Sequence, residues 1–183
     1  TCAADSSVEA TSSAGAAVSY DAATATDIGD DSVDMTYSVA SGSTFAIGTT
    51  TVTVTATDDS SNVSTCSFDV VVTDTTGPTV TCPVAPSTVE ATSSAGAAVT
   101  YDAASATDNG DDSMDITYSV SSGSTFAIGT TTVTVTASDD SANVSTCSFD
   151  VTVVDTTSPT ITCPSDQASV SAVCGLNDAP SGG

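Results

Sequence analysis

The stretch "TTTVTVTATDD" (Thr49 to Asp59) decides how this chain folds. It alternates strictly, with Val52, Val54 and Ala56 on one face and Thr51, Thr53 and Thr55 on the other. That period of two is the pattern of a half-buried β-strand. The following segment "CSFDVVV" continues it, directing Cys66, Phe68, Val70 and Val72 inward and Ser67, Asp69 and Val71 outward. Upstream, "DMTYSV" aligns Met35, Tyr37 and Val39, and "AAVSY" aligns Val18 with Tyr20. No stretch carries a convincing helical period.

The deciding stretch also occurs twice, returning at Thr130 as "TTTVTVTASDD". "VEATSSAGAAVSYDAATATDIGDD" from Val8 recurs as "VEATSSAGAAVTYDAASATDNGDD" from Val89, and "NVSTCSFDV" from Asn62 recurs from Asn143. The spacing is about 81 residues throughout. At the outward position Val71 the second copy has Thr152, as a solvated face permits. A third copy opens at "SPTITCP" (Ser158 to Pro164) and then diverges. The organisation expected is module 1 over residues 1–76, module 2 over 77–157, and the start of a third module or a linking tail over 158–183. The chain reads as a segment of a longer array; a two-domain protein with a tail is the alternative. Short strands separated by Gly, Asp and Ser turns within modules of this size indicate an all-β fold of tandem immunoglobulin-like antiparallel β-sandwiches.

Composition narrows the function. The 183 residues carry 23 acidic groups, no lysine, arginine or histidine, and a formal charge of −23. Nucleic acid and anionic membrane surfaces require basic patches, so neither is expected as a partner. No apolar run approaches the roughly 18 residues that cross a bilayer as a helix, so no membrane insertion is expected. Without histidine, lysine or arginine, the usual general bases, Schiff-base amines and oxyanion clamps are missing. Only carboxylate or thiol chemistry remains, and a thin sandwich offers no cleft for a carboxylate-pair glycosidase; an enzyme is not expected. Hydrophobic residues make up 39%, enough for packed cores, although they are mostly valine and alanine. Six cysteines without a CxxC pair or a histidine point to disulfides and an oxidising compartment rather than a zinc site.

The joined elements "PTVTCPVAPSTVEA", "YDAASATDNGDD" and "SGSTFAIGTTTVTVTASDDSANVSTCSFDVTVVD" resemble the hyalin repeat, or HYR, module. The resemblance covers nearly the whole chain. It implies an extracellular immunoglobulin-like module, commonly in tandem, associated with adhesion and extracellular matrix rather than catalysis. The first copy departs from the pattern, with "TCAADSS" in place of a TCP start and Ile28 in place of asparagine.

In a sandwich of this type the first strand lies beside the last and parallel to it. That topology predicts Cys2–Cys66 and Cys82–Cys147. The competing pairing, Cys66–Cys82, would staple the modules together. Cys163 and Cys174 are left for each other or for partners elsewhere. The same topology gathers acidic loops at the pole where each module begins. Asp74 in the linker should converge there with Asp108, Asp111, Asp112, Asp139 and Asp140 of module 2. Asp27, Asp30, Asp31, Asp58 and Asp59 form the matching set in module 1, and Asp155 repeats Asp74. Two like charges at close approach in water repel by about 1 kcal/mol, and no basic side chain exists to offset this. Hard oxygen ligands from several loops suit Ca²⁺, which takes six to eight of them. The spacing is not that of an EF-hand; the site would be assembled between segments. The competing role for these aspartates is turn capping. Asn62 and Asn143 each begin "NVS", an N-glycosylation acceptor pattern, and the outward threonines are acceptable to O-linked sugars.

The leading expectation is therefore an extracellular or cell-surface rod or filament segment, stiffened by disulfides and calcium. Its partners would be neighbouring modules or further copies of itself, including head-to-tail. The second expectation is a cell-surface adhesin or carbohydrate-binding module. The aromatic residues fall mostly on inward phases, which leaves little platform for a sugar.

Overall fold

The alternating stretches form two long β-hairpins, one in each repeat. The structure, a computed structural model, describes residues 1–29 and 32–162. Asp30, Asp31, Cys163, Cys174 and the body of the third copy lie outside the described residues. The first repeat holds β1 (Ser6–Glu9), β2 (Ala16–Ala17), β3 (Asp34–Tyr37), β4 (Thr44–Phe45), β5 (Gly48–Thr57) and β6 (Val63–Thr73). The second holds β7 (Thr79–Thr81), β8 (Val89–Glu90), β9 (Ala97–Ala98), β10 (Ser105–Thr107), β11 (Asp115–Tyr118), β12 (Thr125–Phe126), β13 (Gly129–Ser138) and β14 (Val144–Val154).

The hairpin β5–β6 is the spine of a four-stranded sheet ordered β1-β6-β5-β3, and β13–β14 is the spine of β11-β13-β14-β8. The first strand of each sheet pairs in parallel with the last, Val8 opposite Val72 and Val89 opposite Val153. Across the core lies a smaller pair, β2 with β4 and β9 with β12. Each repeat is thus a two-layer all-β sandwich. Its inner face is the valine set read from the alternation: Val52, Val54, Val70 and Val72 are buried, as are Val133, Val135, Val151 and Val153. Phe45 and Phe126 fill the centre of the opposite layer. Tyr20 packs edge-on against Phe68 with ring centroids 4.8 Å apart, and its hydroxyl donates to the Val39 carbonyl. Burial raises the Tyr20 hydroxyl pKa above its ordinary value, and the neighbouring Tyr37 adds to the effect. Only Ala16–Ala17 of "AAVSY" is strand, although Val18 is buried and Tyr20 half-buried, in the expected phase.

The motif "SSAG" in each repeat makes the turn between the layers. Gly15 and Gly96 have φ of +106° and +107°, and a Cβ on either would lie 1.8 Å from the carbonyl oxygen of Phe45 or Phe126. Both the left-handed backbone and the backbone contact demand glycine. Gly96→Ala is expected to destabilise the second repeat by at least about 2 kcal/mol. Urea unfolding with a probe in each repeat measures this; an unchanged midpoint would contradict the assignment.

Two disulfides form in the expected pairing, Cys2–Cys66 and Cys82–Cys147, with Cα atoms 5.9 and 5.8 Å apart, although the strand that leads into Cys82 pairs with β10 and not, as expected, with the last strand. One expectation needs correction. Cys66 is exposed, whereas its counterpart Cys147 is half-buried. In the second repeat, β7 pairs antiparallel with β10 and brings Val80 and Cys82 against the core. In the first, the corresponding edge is a groove of about 410 Å³ lined by Thr24, Ala25, Met35, Ala56 and Cys66 among others. Alternation sets the phase of Cys66, but it does not supply the cover.

Candidate metal centre at the junction of the repeats

The hairpin turns bring the first two acidic groups into position. Between β13 and β14 the chain reverses over Asp139–Asn143, with the Asp139 N–H donating to the Asn143 carbonyl (3.2 Å). Asp139 also closes the turn with its side chain. Its carboxylate accepts from the Asn143 backbone N–H (2.7 Å) and from Asn143 Nδ2 (3.0 Å). This is the local capping that aspartate performs well in turns. The second group, Asp108, closes its own loop by accepting from the Gly110 N–H at 2.6 Å.

The third group comes from the linker. Asp74 directly follows β6, and its carboxylate enters the pole of the second repeat. Oxygens of Asp74, Asp108 and Asp139 lie within 4.8 Å of one another. Asp74 and Asp139 are only 8% and 7% exposed, and Asp108 is half-buried. Asp74 Oδ1 accepts from the Thr76 N–H (3.3 Å), but Oδ2 is buried and has no hydrogen-bond partner. At 4 Å and an effective dielectric of 20, two like charges repel by about 4 kcal/mol. The chain has no lysine, arginine or histidine to offset that.

Of the six aspartates expected to converge, these three share the centre and the others brace it. Asp111 accepts from the Ser113 N–H (2.9 Å) and the Asp140 N–H (2.8 Å). These bonds, Ser113 foremost, lower its carboxyl pKa. Asp140 thereby contributes a backbone N–H to the loop. Asp112 reaches across the junction to accept from Ser13 Oγ of the first repeat at 2.7 Å. At the pole of the first repeat, Asp27, Asp58 and Asn62 line a separate cavity of about 250 Å³. There the Asp58 carboxylate accepts from the Asn62 backbone N–H and Nδ2, both at 2.7 Å. Asp59 lies next to it in the same turn. Asp155, at the far end of β14, accepts from the Thr157 N–H at 3.1 Å.

Three residues at the junction escaped the sequence reading. Gly110 is buried, and a Cβ there would lie 2.4 Å from Asp74 Cγ. The loop approaches Asp74 only because this position is glycine. Asn143, read as a sugar acceptor, spends its amide nitrogen on Asp139 and on the Asp74 carbonyl (3.1 Å). Glu9 holds the linker: its carboxylate accepts from the Thr75 N–H (2.7 Å), Thr75 Oγ1 (2.9 Å) and Thr76 Oγ1 (3.0 Å). These bonds, the Thr75 backbone donor foremost, lower its pKa. A signal for it was present: the chain's two glutamates occupy the same place in both repeats, amid many aspartates.

The chemistry of this donor set is that of a hard cation. It comprises carboxylate oxygens from three segments in an anionic pole, and one of these carboxylates, Asp74, keeps an oxygen buried without a proton donor. Ca²⁺ fits better than Mg²⁺, which prefers few carboxylates and several waters. No aromatic platform or nucleophile–base pair adjoins the three carboxylates among the described residues.

The HYR domain profile matches this chain twice, over residues 2–72 and 73–153. Hyalin of Strongylocentrotus purpuratus is 40% identical over 134 residues, covering 71% of this chain and 11% of that protein. The serine-rich adhesin for platelets of Staphylococcus aureus is 35% identical over 118 residues, covering 59% of this chain and 5% of that protein. The chain thus spans a small part of either relative. Among solved structures, the fibronectin(III)-like modules of CbhA from Clostridium thermocellum align at a TM-score of 0.36 and 16% identity, covering 83% of this chain and 90% of that one. Human protocadherin-24 EC1-2 aligns at 0.34 and 15%, covering 82% and 95%. Similarity at that level adds nothing to the assignment.

Proposed function

We propose, for a chain that belongs to the HYR domain family, a structural role as a rod segment of tandem sandwiches whose junction is stiffened by calcium. The relatives support an extracellular or cell-surface repeat of the adhesion type. Asp74, Asp108 and Asp139 would hold the ion. One observation carries the reading: Asp74, whose Oδ2 is buried without a hydrogen-bond partner, places a carboxylate oxygen within 4.8 Å of two further carboxylates from the next repeat. A divalent cation offsets that repulsion and ties the linker of one repeat to two loops of its neighbour. The natural partners are then neighbouring modules or further copies of the same repeat.

Calcium titration tests this. At 100 times the dissociation constant, a ligand bound only to the folded form stabilises it by about 2.7 kcal/mol. For a domain of this size that raises the melting temperature by roughly 10–20 °C. Chelation should reverse the rise and broaden the distribution of inter-repeat angles in solution scattering. Asp74→Asn should abolish both responses. Melting and scattering indifferent to excess chelator would refute the reading.

A second reading, adhesion to a carbohydrate or protein ligand, draws on the adhesin relative. Binding on a glycan array by the isolated chain would favour it.

A further inference from the structure

We propose that Glu9 is the residue that positions Asp74, so that each repeat aims the carboxylate it offers to the following one. This rests on the calcium reading above and extends it to a residue that does not touch the ion. Asp74 is held on both sides. Before it, Thr73 ends β6 and is paired with Glu9 in the parallel ladder, where the Ala10 N–H donates to the Thr73 carbonyl at 2.7 Å. After it, Thr75 and Thr76 give Glu9 one backbone and two hydroxyl hydrogen bonds at 2.7–3.0 Å. The backbone at Asp74 cannot turn without breaking one set or the other. Its side chain is thereby directed away from its own repeat and toward Gly110, Asp108 and Asp139.

The same latch occurs in the second repeat. Glu90 accepts from the Thr156 N–H (2.7 Å), Thr156 Oγ1 (2.8 Å) and Thr157 Oγ1 (2.8 Å), and the next residue back is Asp155. The geometry therefore belongs to the module rather than to this junction. The extra methylene of glutamate supplies the reach, since the carboxylate must pass from the end of one strand to two residues beyond the end of another. Glu90 also provides an internal control. Its latch lies at the end of β14 opposite Asp139, an 11-residue strand away, roughly 35 Å at the usual rise.

Outer residues that orient metal ligands typically affect affinity 10- to 100-fold. The test compares Glu9→Ala, Glu9→Gln and Glu90→Ala in the whole chain, using calcium chloride as the titrant in calorimetry. Glu9→Ala should weaken binding at least tenfold, Glu9→Gln should recover part of the loss by retaining one acceptor, and Glu90→Ala should leave it unchanged. A Glu9→Ala chain that binds as tightly as the parent, or a Glu90→Ala chain weakened to the same degree, would overturn the proposal. A second readout needs no metal: ¹⁵N relaxation reports whether the two repeats tumble together. Glu9→Ala should loosen their coupling and Glu90→Ala should not. A parent chain that binds no calcium would refute the preceding reading alone. The relaxation comparison then decides for Glu9, and unchanged coupling in Glu9→Ala would overturn its role.

Discussion

Reduction of the two disulfides is expected to lower the melting temperature of each repeat by roughly 15–30 °C. Each bridge closes a loop with a sequence separation of 64 or 65 residues. In the chain-entropy account, a loop of that length restrains the unfolded chain by about 4 kcal/mol. A domain of 60–100 residues loses 4–8 °C per kcal/mol. The effect is large because the core is thin. It is built of valine and alanine with two phenylalanines per repeat, and without tryptophan. Calorimetry with and without a phosphine reductant measures the shift, and Cys66→Ser or Cys147→Ser should confine it to one repeat. The first bridge should be reduced first, because Cys66 is exposed and Cys147 is half-buried. A fall of only a few degrees would show that the sandwiches do not depend on their bridges.

Gly110→Ala is expected to weaken calcium binding about 100-fold, equivalent to about 2.7 kcal/mol, while leaving both repeats folded. The added methyl would fall 2.4 Å from Asp74 Cγ and 2.5 Å from its Oδ2, well inside contact distance. Asp74 is 8% exposed and its carboxylate faces this loop, so the added methyl displaces its oxygens relative to the other two carboxylates. The substitution lies in a loop outside both hydrophobic clusters, so the urea midpoints of the individual repeats, measured in excess chelator, should stay in place. Isothermal titration with calcium, run beside urea unfolding, separates the two effects. Gly29→Ala is the matched control, since the nearest atom to a Cβ there is Asp27 Oδ2 at 3.7 Å. Equal calcium affinity in the parent and Gly110→Ala would remove Asp74 from the site.

The two sets of expectations differ in how far sequence could carry them. The strands were legible because alternation is a nearest-neighbour property: the valines of "TTTVTVTA" share a face wherever that strand lies. The first bridge was legible because β1 runs parallel beside β6 and brings Cys2 near Cys66; in the second repeat the strand before Cys82 pairs with β10 instead, and Cys82 reaches Cys147 from a separate sheet. The junction was legible only in outline. Asp74, Asp108, Asp111, Asp112, Asp139 and Asp140 were placed at one pole, and sequence had no means of ranking them. Three converge, while Asp111 and Asp112 are drawn off by Ser113, Asp140 and Ser13.

By itself, the sequence determined the all-β class, the tandem repeat, the inward valine faces and the absence of basic partners for the carboxylates. Each of these follows from local period, from repetition or from composition. Tertiary structure alone decided which carboxylate oxygen is buried without a donor, that Gly110 must lack a side chain, that Asn143 turns its amide into the junction, and that Glu9 grips the linker. The first three depend on how closely two separately folded surfaces approach, at distances where a single methyl group decides the fit; the Glu9 grip depends on the pairing of β1 with β6 within one repeat. Composition and local pattern do not encode such distances; they arise when the linker seats one repeat on the next.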